Sequence, residues 1–208
     1  MTSEPGLRER KKAATRAALS RTAWSMMLEQ GLDAVTPESV AAAADMAPRT
    51  FRYHFRNREE AILDELAQQQ LTLAARLRAR PAGEPIWDGL LRVLPQAVTE
   101  IAGNRTEFAT LMRAIVANPT LLAENLLVLD RSRVSLAEVI AERTGTDPRT
   151  DTYANLLAGA AITAISTSIT HWARPTTDAA LADLIHDSLT RLQAGLPAPD
   201  PSPSRPPE

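Results

Sequence analysis

Apolar residues recur along this chain at intervals of three and four, with polar residues between them. That is the period of amphipathic helices, not the alternation of half-buried strands. Leu19, Thr22, Ala23, Met26 and Met27 follow the i, i+3, i+4, i+7, i+8 spacing of a single helix face, which predicts a first helix over about 12–30, closed by Gly31. Residues 36–58 then depart from long periodic helices. Thr36 is a good N-cap and Pro37 suits the first helical position, where a missing N–H costs nothing. Val40, Ala41 and Ala44 give this second helix one small apolar face, and Asp45-Met46-Ala47 interrupts it, with Asp45 able to take the left-handed conformation a tight turn needs. Pro48 opens a third short helix, in which Phe51 and Phe55 are apolar while Arg49, Arg52, Tyr53 and His54 point away from them. Two short helices joined by a three-residue turn, the second rich in hydrogen-bond donors, read as a helix-turn-helix with its recognition helix.

Asn57 and Glu60 make a capping-box-like start for a fourth helix running through Ile62, Leu66, Leu73 and Leu77. A helix of about twenty residues spans about 30 Å, enough to join a small head to a separate body. The segment Pro81 to Pro85 ends it, and further helices are predicted over about 86–102, 105–117, 119–144, 149–173 and 177–194. Breaks fall at Gly103-Asn104, Asn118-Pro119, Gly145 to Pro148 and Pro175-Thr176. No strand-like alternation or internal repeat is visible, so the expected class is all-α: a three-helix head carrying the helix-turn-helix and a helical body. Residues 195–208 hold six of the fifteen prolines and almost nothing to bury, which predicts a disordered tail.

Within this frame the stretches Val40-Ala41-Ala42-Ala43-Ala44-Asp45-Met46-Ala47 and Thr50-Phe51-Arg52-Tyr53-His54-Phe55-Arg56-Asn57-Arg58-Glu59 resemble the DNA-binding domain of the TetR family of transcriptional regulators. The ordered resemblance covers about residues 12–66. It departs from the family pattern at Asp45 (usually Gly), Ala47 (usually Ser), Arg52 (usually Tyr) and Arg58 (usually Lys). A lost cap at Ala47 weakens the turn by about 1 kcal/mol, while Arg52 and Arg58 keep or add positive charge. The resemblance implies a homodimer on a palindromic double-stranded operator. Thr36 and Ser39 would contact phosphate, and Arg49 and Arg52 would read base edges, since arginine pairs bidentately with guanine. Pro48 and Thr50 belong to the same surface, and Tyr53, His54 and Arg58 match positions that clamp the backbone.

The domains expected on this basis are a basic arm over 1–11, the helix-turn-helix domain over 12–66, a ligand-binding and dimerisation domain over 67–194, and the tail. The resemblance, not the periodicity, also implies a cavity for a hydrophobic small molecule among the middle helices. Its candidate walls are Trp87, Leu91, Phe108, Met112, Leu122, Leu126, Tyr153 and Leu157, each equally readable as ordinary core. Asn118 to Leu122 and Leu136 to Gly145 are similar to effector domains thought to take acyl-coenzyme-A-like ligands. Arg113, Asn125, Asn155 and His171 are polar groups in apolar helices that could orient a ligand's head. Ala160, Ala164 and Ser168 recur every fourth position, and Leu181, Ile185 and Leu189 form a stripe on the last helix. Paired with symmetry mates they would make a four-helix dimer interface; packed at home they would be core.

Charge changes the picture only locally. The whole chain carries −2, but residues 1–60 hold ten Arg and Lys against eight acids, and Arg8 to Arg21 holds six against one. Phosphate recognition needs such a local surface, not a basic protein. Hydrophobic content of 44% supports a core, and the most apolar run, Leu156 to Trp172, is too interrupted by Thr, Ser and His to read as a membrane span. A polar, basic N-terminus reads as no signal peptide, and zero cysteines fit a reducing cytoplasm. Nothing in the sequence calls for a cofactor, and His54, His171 and His186 lack metal-ligand spacing. No phosphate loop, His-Glu-x-x-His or Gly-x-Ser-x-Gly is present, which weighs against an enzyme. A helical scaffold without DNA binding would leave Arg49, Arg52 and Arg58 incidental, and activation in place of repression remains open.

Overall fold

The structure, a computed structural model, describes residues 6–174 and 176–197. Among these, nine α-helices and one 3-10 turn account for the regular structure, and there are no strands. The head comprises α1 (Leu7–Gln30), the 3-10 turn Leu32–Ala34, α2 (Pro37–Ala43) and α3 (Pro48–His54). The long α4 (Arg58–Arg78) leads into a body of α5 (Ile86–Ala102), α6 (Arg105–Ala117), α7 (Pro119–Thr144), α8 (Tyr153–Trp172) and α9 (Leu181–Gln193).

Caps explain most boundaries. Thr36 Oγ1 accepts from the Ser39 amide at 3.0 Å, while the Thr36 amide donates to Ser39 Oγ at 2.9 Å, a reciprocal box that starts α2. The side chains of Asn57, Asn104 and Asn118 cap α4, α6 and α7 by accepting from first-turn amides, without the reciprocal bond. At the centre of the helix-turn-helix, Asp45 takes φ = 55°, and the Met46 amide reaches back to the Ala41 carbonyl at 2.8 Å. A short polar side chain tolerates that left-handed geometry better than most.

Three boundaries differ from expectation. Nothing after Gly6 breaks a helix and Glu9 complements the dipole of its first turn, so α1 begins at Leu7 and the basic run Arg8 to Lys12 is helical, not an arm. The polar turn after α7 absorbs residues up to Thr152, its amides at Thr150 and Asp151 returning to the Asp147 carbonyl, so α8 starts at Tyr153. Thr177 is buried, with its hydroxyl donating to the His171 carbonyl, which delays α9 to Leu181. Of the expected arm and tail, residues 1–5 and 198–208 lie outside the described residues.

Helix α4 is the spine. It packs against α1 in the head and against α5 and α7 in the body, while α8 lies on α7 and α9 sits against both α5 and α8. Helices α6 and α7 meet at 112°. No single described helix is long and apolar enough to cross a membrane.

Candidate nucleic-acid interface and interior cavities

Phe51 and Phe55 are buried and tilted together with ring centres 5.5 Å apart, which fastens α3 to the head and turns its other face outward. Pro48, Arg49, Arg52 and Tyr53 stand exposed on that face, Tyr53 at 67%, and Thr50 is half-buried. Arg52 pairs with Glu38 of α2, an exposed link that fixes the direction of the guanidinium. Lys12 of α1 lies 5.7 Å from the Tyr53 ring centre, and Arg8, Lys11 and Lys12 line a surface cleft with Tyr53 and His54. The helical start of α1 thus brings the basic run beside the recognition helix.

Four candidate contact residues are placed less simply. The hydroxyls of Thr36 and Ser39 are both engaged in the α2 cap, Ser39 also donating to the Ala34 carbonyl at 2.7 Å. His54 is buried, and its Nδ1 has no hydrogen-bond partner among the described residues. Burial, then Arg16 and Lys12, lower its pKa from the ordinary imidazole value, against a smaller opposing pull from Asp64. Arg58 is turned inward. It donates to the Leu32 carbonyl at 3.0 Å, the Val35 carbonyl at 3.4 Å and the Glu59 carboxylate at 3.1 Å. It satisfies carbonyls around the 3-10 turn, which corrects its assignment as a backbone clamp.

One organising residue went unnoticed in the sequence. Arg16 of α1 donates to Asp64 at 2.7 and 3.0 Å, to Glu60 at 3.1 Å and to the His54 carbonyl, with its guanidinium carbon 4.2 Å from the Phe55 ring centre. A single guanidinium ties α1, the end of α3 and the start of α4. The head is pinned to the body nearby: Arg56 reaches Glu124 of α7 at 3.1 Å, and the Thr120 hydroxyl donates to Glu59 at 3.0 Å.

Two interior spaces flank α4. An inner chamber of roughly 50 Å³ lies among α4 to α8, walled mainly by Leu73, Val98, Leu129, Ile162 and Ile165, with Gln70, Ser132 and Ser166 as polar points. An outer cavity of about 270 Å³ opens where α1, α4 and the α5–α6 junction meet, lined by Arg21, Trp24, Glu65, Glu100 and Glu107 among others. Of the eight expected pocket walls, Phe108 alone lines either space. Trp87, Met112 and Leu157 pack in the body away from both; Leu91 lines an open surface hollow near α9. Leu122, Leu126 and Tyr153 are exposed, on the outer side of α7 and at the start of α8. Apolar spacing identified faces, but α7 buries Leu121 and Val128 and leaves Leu122 and Leu126 on its solvent side. Among the polar candidates, Asn155 donates to the Pro148 carbonyl and Arg113 to the Thr110 hydroxyl.

The expected dimer stripe is corrected too. Leu181, Ile185 and Leu189 are buried against the chain's own α5 and α8, and Ala164 and Ser168 are buried beneath α9, Ser168 lying 3.0 Å from the Ser188 hydroxyl. Ala160 is half-buried.

An outward recognition helix in a three-helix head, mounted through one long helix on a helical body with an interior chamber, defines a helix-turn-helix transcriptional regulator. Residues 19–65 match the family described as "Bacterial regulatory proteins, tetR family", and residues 84–197, more than half of the chain, match "MftR C-terminal domain". The chain belongs to the TetR family. It is 34% identical over 149 residues to the HTH-type transcriptional regulator TcmR of Streptomyces glaucescens, covering 69% of this chain and 66% of that protein, just under two thirds of its length. Its fold is that of Thermus thermophilus FadR, a TetR family transcriptional repressor solved with lauroyl-CoA (TM-score 0.57, 20% identity, 91% of this chain and 100% of that one). It is also that of SmeT, solved with triclosan (TM-score 0.57, 17% identity, 94% and 100%).

Proposed function

We propose that this regulator is a homodimeric repressor that grips a palindromic operator with two copies of α3 and is released by a hydrophobic effector held beside α4. The observation that carries this reading is the exposed row Arg49, Arg52 and Tyr53 on a helix anchored by Phe51 and Phe55. Arg49 and Arg52 read bases in the major groove, and Tyr53 with the basic first turns of α1 contacts the backbone. FadR and SmeT, which share the fold, were solved with lauroyl-CoA and triclosan, and the apolar walls beside α4 here support an effector with an apolar part, whatever its head group. Release requires the effector to favour the non-operator conformation; a hundredfold loss of affinity corresponds to about 2.7 kcal/mol.

Dimerisation is assigned to the outer faces of α8 and α9, because their inner faces are occupied. Leu156 is 71% exposed, and the neighbouring turns offer Gly159, Ala160, Thr163 and Thr167, small enough for a second helix to approach. Titration of the protein onto DNA flanking its own gene tests the reading, with sedimentation run alongside. Sequence-specific binding by a dimer is expected, and Thr163→Trp is expected to give monomers with a native circular dichroism spectrum. Binding that ignores sequence, or a monomer at micromolar concentration, would overturn it.

A further inference from the structure

Leu66, Ile101 and Phe108 line both interior spaces, so the inner chamber and the outer cavity share a wall of side chains. Their chemistry is unequal. The inner chamber carries no charged side chain. The outer cavity has Glu65, Glu100 and Glu107 against one cation, Arg21, a sum of three negatives and one positive, or −2. Only part of that charge is spoken for: Glu100 pairs with the exposed Arg76 at 2.6 Å and Glu65 accepts from Gln69 at 3.1 Å. Glu107 makes no ion pair among the described residues, and neither does Arg21, which is exposed and free to swing into solvent. Trp24, half-buried, adds an indole to the same rim.

We infer that the effector is an amphipathic cation seated in the outer cavity, its ammonium-like group among Glu65, Glu100, Glu107 and Trp24 and its alkyl or aryl body against Leu66, Ile101 and Phe108, which must part to widen an inner chamber too small to hold it as it stands. This deepens the effector reading proposed above and rests on it. A carboxylate or phosphate head would meet the same three acids and be repelled; a cation gains both their attraction and the face of an indole. The position matters for regulation as well. Arg21 and Trp24 belong to α1 of the head, Glu65 to α4, and Glu100 and Glu107 to the body. A ligand at this mouth therefore touches the recognition head itself, with no relay through the body.

Calorimetric titration of the full-length protein with decyltrimethylammonium, decanol and decanoate, each below its micellar concentration, separates head-group charge from tail. The ammonium is expected to bind roughly tenfold tighter than the alcohol, with the carboxylate weakest, and its advantage should shrink between about 50 and about 500 mM salt. Glu107→Gln should weaken the ammonium by about threefold and leave decanol unchanged, as for a partly exposed ion pair. Tighter binding of decanoate, or equal binding of all three, overturns the cation assignment and leaves the apolar chamber standing. Equal loss of both ligands on Glu107→Gln overturns the placement of the head group. Binding by none of the three removes the effector reading together with this inference.

Discussion

Replacing Arg16 by Met isolates what one guanidinium contributes to the head. The substitution keeps an apolar stem over Phe55 but deletes the Arg16 donors to Asp64, Glu60 and the His54 carbonyl, leaving Glu60 with those of Arg56. The Asp64 side chain is 7% exposed and that of Glu60 is 16% exposed, whereas Arg16 is 30% exposed. Stranding a fully buried charge costs about 3–5 kcal/mol. Here the opening left by the partly exposed arginine admits water, which reduces the expected loss to about 2–3 kcal/mol. For a chain of this length that is about 5–10 °C in Tm. Urea unfolding followed by circular dichroism measures it, with the slope against denaturant unchanged if the native and unfolded states keep their surfaces. Combining Arg16→Met with Asp64→Asn should recover about 1–3 kcal/mol of coupling. A loss below about 0.5 kcal/mol for the single variant would refute the view that this network fastens α1 to α3 and α4.

Further outcomes follow from the same geometry. Arg58→Ala should destabilise the head by about 1–2 kcal/mol, by removing the side-chain donor to the Val35 carbonyl and leaving the Leu32 carbonyl with the Val35 amide alone, yet leave the salt dependence of DNA binding unchanged; a slope reduced by about one unit would return Arg58 to the phosphate backbone. Arg49→Ala should cost about 1–3 kcal/mol on the operator and relax preference at one base position, read by titration on cognate and scrambled duplexes. Burial alone would raise the pKa of Glu60, but hydrogen bonds from the Arg56 amide and guanidinium and from Arg16 outweigh it and hold the carboxyl below its ordinary value. Its folded pKa being depressed, the stability it contributes is complete above the ordinary glutamate value and drains away as pH falls through the folded one. Glu60→Gln should flatten that acid limb in a series of melts, and an unchanged limb would argue against the assignment.

The helix-turn-helix and the caps were legible because they depend on near neighbours. Thr36, Asp45, Pro48 and Asn57 act within four residues of themselves, so their geometry is written locally. Apart from the starts of α1 and α8, the failures are tertiary. An apolar stripe such as Leu181, Ile185 and Leu189 announces burial without naming the surface that buries it, and α5 and α8 of the same chain proved to be that surface. Arg58 carries the right charge beside the recognition helix, but only the folded chain shows the carbonyls of Leu32 and Val35 within its reach. Arg16 looked like one more member of a basic run until α4 brought Asp64 and Glu60 to it across more than forty positions. The cavities were legible least, since a void is a property of how helices cross and not of any one helix.

Helix α4 has an uneven interior record along its length. Its buried positions run from Glu59 to Leu66 and resume at Leu73, and the six residues between, Ala67 to Thr72, contribute none. The first group lies mostly in the head and the second in the body, so the chain has a neck with few ties to either module, chiefly Ala67 against the core and Gln70 beside Ser132. Exchange of reading heads between relatives, whether by recombination over generations or by fusion on the bench, would meet least resistance if the splice fell within those six residues. Splices placed a turn earlier, among Ala61 to Asp64, would separate Asp64 from Arg16 or Ile62 from its packing, and would yield hybrids that lose the fold before their specificity could be read.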